Sequence, residues 1–406
     1  MRQSFKCIFA MIISVVLLIG CSVESEETNL SNNVSPQIPK KQIQYGELNL
    51  SEDDLKTVYA VRNGCVYGRR KDDDLSNYEF LKYDIASDTL NILGSVERFI
   101  AASGSNVLIN EKLYFCYGYG DTLSDNCKSV LYELDTNTDT LSQRGVLKTF
   151  SPLVYVSGGS NGAVQLFANE IKEEMYKTKI VQFAPGQKKG KIIIEKECPL
   201  NFEYGEKILA CDASENGDEI YLLSAEDDNG EKKIRIEVCD TYGQTLYTIP
   251  LAGEWIEHVL QQGIRSFSME DGYLFIQNFS SEVVLAKHTG TELEYITMGD
   301  ISCTLNRSEE SGTPENRIQV FYERLGYLWF LDTENEQIKV VDICDIIECE
   351  SVSMLNSVFV NEDEIFFKVK FPNEEVKMYI YQLSEIVTEI PGKTLSKQDF
   401  PILLFE

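Results

Sequence analysis

Asn110-Glu111-Lys112-Leu113-Tyr114-Phe115 sets a tight-turn pair directly ahead of a short strand that carries aromatics, and the recurrence of this phrase decides the fold. It returns as Asn63-Gly64-Cys65-Val66-Tyr67, Asn161-Gly162-Ala163-Val164-Gln165-Leu166-Phe167 and Asn216-Gly217-Asp218-Glu219-Ile220-Tyr221. Three later instances are Glu270-Asp271-Gly272-Tyr273-Leu274-Phe275, Leu325-Gly326-Tyr327-Leu328-Trp329-Phe330 and Asn361-Glu362-Asp363-Glu364-Ile365-Phe366-Phe367. The turns begin at 63, 110, 161, 216, 270, 325 and 361, so seven units advance in steps of 36 to 55 residues. Those steps bracket the roughly 40 to 50 residues of a propeller blade.

A second hairpin follows in most units. Tyr78-Glu79-Phe80-Leu81-Lys82-Tyr83-Asp84 precedes Ser87-Asp88-Thr89, Ser129-Val130-Leu131-Tyr132-Glu133-Leu134-Asp135 precedes Asn137-Thr138-Asp139, and Ile234-Arg235-Ile236-Glu237-Val238-Cys239-Asp240 precedes Tyr242-Gly243. Apolar and polar residues alternate at period two, and the Asp-led turns close through side-chain to backbone bonds. Four short antiparallel strands per unit follow. Such a unit cannot bury both faces alone, and radial closure removes most open sheet edges. The expected fold is therefore an all-β, seven-bladed β-propeller over residues 44–406. A β-sandwich array is the alternative, while the rungs of a β-solenoid would be shorter and more regular. Closure needs a latch, formed by Gln44-Tyr45-Gly46-Glu47-Leu48-Asn49-Leu50 against the last repeat or against Pro401-Ile402-Leu403-Leu404-Phe405.

The recurring phrase resembles the degenerate propeller repeats of secreted lipoproteins of Gram-positive bacteria, in which a "dGklYF... lyryDl.tg" pattern repeats. The resemblance covers nearly the whole body and implies a propeller without implying any chemistry.

The N-terminus points to the same class. Arg2 and Lys6 precede the apolar run Cys7-Ile8-Phe9-Ala10-Met11-Ile12-Ile13-Ser14-Val15-Val16-Leu17-Leu18-Ile19. That run is short of the roughly 20 residues of a membrane span and has the layout of a signal peptide. Leu18-Ile19-Gly20-Cys21 resembles the lipobox of bacterial lipoproteins, which implies lipidation of the Cys21 thiol and cleavage just before it. Residues 1–20 are then a leader, and residues 21–43, polar and acidic with Pro36 and Pro39, are a lipid-anchored flexible linker. An uncleaved anchor helix is the alternative. The expected location is the extracytoplasmic face of the cell membrane, where two acyl chains make a durable anchor.

With 37 basic and 65 acidic residues the chain carries a net charge of -28. A surface that negative repels phosphate backbones, so nucleic acid is excluded as a partner. Tyr (21) and Phe (20) outnumber Pro (10) and lie in β-branched runs, which is strand composition. Beyond Cys7 and Cys21 there are nine cysteines, at 65, 116, 127, 198, 211, 239, 303, 344 and 349. An odd number cannot all pair within one chain. Cys116 with Cys127 and Cys344 with Cys349 are close enough in sequence to bridge, yet several cysteines occupy strand positions, so buried free thiols are expected.

No Cys-x-x-Cys spacing occurs and the only histidines are His258 and His288, so no metal and no cofactor is expected. His258 and Trp255 share a face of a short insertion and are read as packing residues. Lys71-Asp72-Asp73-Asp74 and Glu226-Asp227-Asp228-Asn229-Gly230-Glu231 do not fit a calcium loop and are read as solvated turns. Ser157-Gly158-Gly159-Ser160-Asn161-Gly162 lacks the Lys-Ser/Thr of a phosphate cradle and is read as a flexible turn. No Gly-x-Ser-x-Gly elbow is present. No catalytic residue is assigned. The expected function is non-enzymatic binding or scaffolding by a monomer, with a protein, peptide or glycan ligand. The alternative is a carbohydrate-active or lactone-cleaving enzyme using funnel carboxylates.

Overall fold

The computed structural model describes residues 45–395 except 73–75, 100, 121–126, 149–153, 173, 200–204, 229–230, 252–262, 271, 279–282, 290–291, 297–304 and 309–317. A two-residue hairpin keeps the right-handed twist of its strands when both central residues adopt positive φ. Asn63 and Gly64 do so at 52° and 69°, and Asn110 and Glu111 at 48° and 65°. The next hairpin in a unit is set by the aspartate that ends its third strand. Asp84 Oδ1 accepts from Ser87 N (2.8 Å), Asp135 Oδ1 from Asn137 N (3.0 Å), Asp240 Oδ1 from Tyr242 N (2.9 Å) and Asp332 Oδ1 from Glu334 N (3.0 Å). The turn residues picked out in the sequence thus act through the mechanism expected of them.

Seven antiparallel sheets result, arranged as a ring: a seven-bladed β-propeller. Blades 1 to 6 span residues 57–97, 101–148, 154–199, 205–251, 264–296 and 305–342. Blade 7 takes three strands from 354–382 and its fourth from Gly46–Glu47. The innermost strands, in order, are Thr57–Arg62, Ala101–Ile109, Val154–Gly158, Gly205–Ala213, Ile264–Glu270, Leu305–Arg307 and Met354–Asn361.

The cores lie between blades. Adjacent residues of a strand point to opposite faces of the sheet, so Val66 packs against Phe366 of blade 7 while Tyr67 packs with Phe115 of blade 2. Phe366 and Phe367, both fully buried, likewise enter different cores. Seven apolar clusters are found among the described residues, one at each seam including the seam between blades 7 and 1. An open row of seven blades would have six seams, so the seventh marks closure.

The latch is the first of the two expected. Gly46 pairs with Ile380 and Glu47 with Tyr379, antiparallel, and Leu48 N donates to Met378 O (2.8 Å). Leu48, Leu50 and Leu55 then bury themselves in the seam between blades 7 and 1.

The sixth repeat corrects the phase of the sequence reading. Leu325-Gly326 joins the second strand of blade 6 (Ile318–Glu323) to the third (Tyr327–Asp332), not the first to the second. Blade 6 also gains a fifth strand, Lys393–Leu395, which pairs with Gln337–Asp342. Two short helices, α1 (Ile343–Ile347) and α2 (Leu383–Thr388), follow the last sequential strands of blades 6 and 7. Asp342 caps α1 by accepting from Cys344 N (2.9 Å). Among the described residues no helix is long and apolar enough to cross a membrane.

Candidate functional site

Two sets of loops frame the ring. One face holds the turns from first to second and from third to fourth strand; the other holds the turns from second to third and the crossings between blades. On the first face the turns are stitched from blade to blade. Arg62 Nε donates to Glu111 Oε2 (2.7 Å), Asn110 Nδ2 to Ser160 O (2.5 Å) and Asn161 Nδ2 to Gly217 O (2.8 Å). The run 157–162, expected as a flexible turn, is packed instead. A Cβ built on Gly159 would stand 2.2 Å from Gly217 Cα, and Ser160 N donates to Glu215 O (2.7 Å). Glycine is present because two backbones meet there.

Toward the second face the innermost strands of blades 1, 2, 4, 5 and 7 each carry an irregularity of register. A bulge frees a carbonyl from the ladder and requires another donor for it. Asn106 Nδ2 supplies one to Tyr59 O (2.5 Å), and Tyr322 Oη supplies one to Asn356 O (3.4 Å). Further round the ring, Asp212 accepts from Ala213 N (2.9 Å) and from Met269 N of the next blade (3.0 Å). Burial pushes its carboxyl up despite those bonds and the nearby Arg307 guanidinium. Arg307 in turn bonds Ser268 and Glu270, so the innermost strands of blades 4, 5 and 6 are joined by charge.

Among the described residues, a dense ionic group lies at the seam between blades 3 and 4. Lys196 Nζ is 2.6 Å from Glu206 and 3.4 Å from Glu237, and Arg235 Nη2 is 2.8 Å and 3.1 Å from the same two carboxylates. Burial and the hydrogen bond shared with Glu237 push the Glu206 carboxyl up. Burial also opposes the charge of Glu237, but the bond from Glu206 with Lys196 and Arg235 holds it below its ordinary range. The pair therefore titrates as one unit. Each carboxylate is bridged by both cations.

Between blades 1 and 2, at the second face, Arg69 lies among aromatic rings. Its guanidinium carbon is 4.5 Å from the centroid of Tyr78, 4.9 Å from Phe99 and 5.9 Å from Tyr117. Arg69 Nε donates to Tyr59 Oη, and Tyr59 Oη is hydrogen-bonded to Tyr117 Oη. A cavity of about 390 Å³ opens at the rim of blade 6, where Tyr327, Trp329, Asp342, Asp345 and Lys393 meet.

Burial holds several of the described cysteines in the thiol form. Cys65, Cys116, Cys127, Cys198 and Cys239 are buried free thiols, and Cys211, Cys344 and Cys349 are partly buried free thiols. Burial pushes Cys65 up to about 11 and Cys116 and Cys344 up to about 12, so each stays protonated at neutral pH. Cys344 and Cys349 do lie side by side, with Cys349 N donating to Cys344 O (3.2 Å). His288 packs parallel to Tyr247 at 6.5 Å between ring centroids. Among the described residues no three His, Cys, Asp or Glu side chains converge in a group that could hold a metal ion. Asp72 closes its own turn by accepting from Ser76 N (2.8 Å), as a solvated turn would. Glu226, Asp227 and Asp228 instead lie in the second strand of blade 4 (Glu219–Asp228), with Asp227 buried and Glu226 bonded to Arg235, because the hairpin is longer than the turn residues suggest. Cys21, the leader, the linker, Asp73, Asp74, Trp255, His258, Cys303 and Pro401-Ile402-Leu403-Leu404-Phe405 lie outside the described residues. The Arg69 slot and the Lys196–Arg235 network were not found from the sequence, because each joins residues of two blades.

No protein-family model matches the sequence, and no curated protein matches it. Among solved structures, the uncharacterised protein lmo1340 from Listeria monocytogenes EGD-e is similar with a TM-score of 0.51 at 9% identity, over 84% of this chain and 98% of that one. The β-propeller domain of the Trilobed protease from Pyrococcus furiosus is similar at 0.49 and 11% identity, over 88% and 100% of the two chains. The β-propeller domain of Cps50 (Swd1) from Myceliophteria thermophila gives 0.46 and 11%, over 81% and 97%. Identities this low speak to architecture and not to activity.

Proposed function

We propose that this chain is a binding propeller displayed at the cell surface: an exported lipoprotein, cleaved before Cys21 and anchored through its lipidated thiol. Residues 21–43 serve as a tether, and the propeller acts as a monomer that presents loops to a protein, peptide or glycan without catalysis. The observation that carries this reading is the closed ring, whose seven seam cores hold in place the strands that carry both sets of loops. Rigid scaffolds that present loops are suited to recognition. The ionic groups support it further. Glu206 and Glu237 are bridged by Lys196 and Arg235, and Asp212 is spent on backbone N–H groups, which suits structural ties better than acid–base work.

Two measurements test the proposal. Metabolic labelling with an alkyne-tagged fatty acid is expected to mark the wild-type chain and not Cys21→Ser; a labelled serine variant sinks the anchor. Capture of partners from intact envelopes is expected to fall when loops of one face are substituted and to persist when those of the other are. Turnover of a glycan or lactone panel, abolished by one funnel carboxylate substitution, would replace the binding reading with the enzymatic one.

A further inference from the structure

Arg69 lies on the second strand of blade 1 (Cys65–Lys71) and points toward blade 2. Of the described arginines, five meet glutamates: Arg62 with Glu111, Arg70 with Glu79, Arg144 with Glu133, Arg235 with Glu206 and Arg307 with Glu270. Arg69, like Arg98, Arg265 and Arg324, forms no ion pair, and it differs from those three in being held among aromatic rings. Among the described residues no carboxylate pairs with it, and its single hydrogen-bond partner is Tyr59. A guanidinium has five N–H donors in a fixed fork. Nε is spent on Tyr59, the plane is held by Tyr78 and Phe99, and the two Nη atoms are not sealed from solvent. In a chain with 28 more negative than positive charges, this cation keeps its charge for something other than a carboxylate of the fold.

We propose that the Arg69 fork is a subsite for the carboxylate of a peptide ligand. Planar, two-pronged N–H groups match a carboxylate edge on. The stacked rings fix the fork before the ligand arrives, so less side-chain freedom is lost on binding. The surrounding negative charge selects against polyanions such as acidic polysaccharides, because their repeated charges meet the field of the whole protein. A peptide can offer one carboxylate among neutral or cationic residues. The proposal rests on the reading of this propeller as a binding platform and names the chemistry of one contact on its second face.

The test uses the full chain labelled with ¹⁵N-arginine, titrated at constant ionic strength with N-acetylphenylalanine, its primary amide and galacturonate. The Arg69 Nε resonance, assigned by its loss in Arg69→Lys, is expected to shift saturably with the free carboxylate and to respond about tenfold more weakly to the amide. If the lysine variant does not fold, Tyr59→Phe supplies the assignment by perturbing the same resonance. A resonance that ignores the carboxylate, or that answers carboxylate and amide alike, overturns the subsite. An equal response to galacturonate overturns its assignment to peptides. Envelope capture that fails while the Arg69 shift survives sinks the platform alone, whereas an absent shift with capture intact sinks this subsite alone.

Discussion

Glu47 and Lys377 are separated by 330 residues in sequence and by 3.0 Å in the ring. Their pairing marks the point where the N-terminal strand closes blade 7, but the closure does not depend on their charges. Both side chains keep substantial solvent access, and an exposed pair of this kind contributes about 0.2–1 kcal/mol. Glu47→Ala is therefore expected to move the thermal midpoint slightly, while deletion of residues 45–50 removes a strand and the buried Leu48 and Leu50 and is expected to abolish cooperative unfolding. A deletion variant with an unchanged calorimetric transition would show that the ring closes by other means.

Phe366 and Phe367 test the division of the core into seams. Each is fully buried, in different clusters. Phe366→Ala and Phe367→Ala are each expected to cost about 3–5 kcal/mol in chemical denaturation. Because they empty different cores, the double variant is expected to lose close to the sum of the two. Strong coupling would mean that the two seams behave as one core.

Gly159→Ala is expected to destabilise by roughly 1–3 kcal/mol, since the new methyl would meet the backbone of Gly217 at 2.2 Å and the two hairpin turns are tied together there. Gly186→Ala is the control for bulk, with nothing within 4 Å of its Cβ, although its positive φ of 74° adds backbone strain. Its signature separates the two causes: Gly186→Asn, which tolerates that backbone, should recover stability, and Gly159→Asn should not.

Lys368 is a charge in the wrong medium. It is 5% exposed, donates to Lys56 O (3.3 Å), and burial pulls its ammonium below the ordinary lysine range. Its acidic neighbour Glu52, 3.6 Å away, is partly solvated and also bonded to Lys56, so removing Lys368 strands no buried carboxylate. Lys368→Met is expected to raise stability at neutral pH by about 1 kcal/mol. A lower midpoint would show that the bond to Lys56 O outweighs the cost of burial.

Acid should act on the segment between the latch and blade 1. The hydrogen bond from Lys56 lowers Glu52 from its ordinary 4.5, and hydrogen bonds from the Ser51 hydroxyl and N–H lower Asp54 from 3.8. Both groups are more acidic folded than unfolded. Their stabilisation is thus complete above those ordinary values and is lost as pH falls through the lowered ones. Thermal midpoints are expected to fall as pH drops below about 4.5, and Ser51→Ala should flatten that limb by returning Asp54 toward its unfolded behaviour. An acid limb identical in the variant would remove Asp54 from the explanation.

The parts of this fold that are legible in the sequence are those governed by neighbours along the chain. Asn63-Gly64 and Asp135-Thr136 announce hairpins because φ and side-chain capping are set within a few residues. The phase of blade 6 was misread for the same reason: Leu325-Gly326 has the chemistry of a turn whichever strands it joins. The fifth strand of blade 6, the bulges of the innermost strands and the Arg69 slot arise from contacts between distant segments, which strand alternation does not encode. The lipidation proposed for Cys21 rests on resemblance alone.

The short ladder at Gly46–Glu47 has a mechanical consequence. The chain enters the body through the strand that closes it, so tension applied from the N-terminal side loads two residue pairs before it reaches any seam core. Once those pairs part, blade 7 loses its outer edge and the seam with blade 1 is exposed. Resistance to pulling from that side should therefore be set by this two-pair ladder rather than by the total buried area.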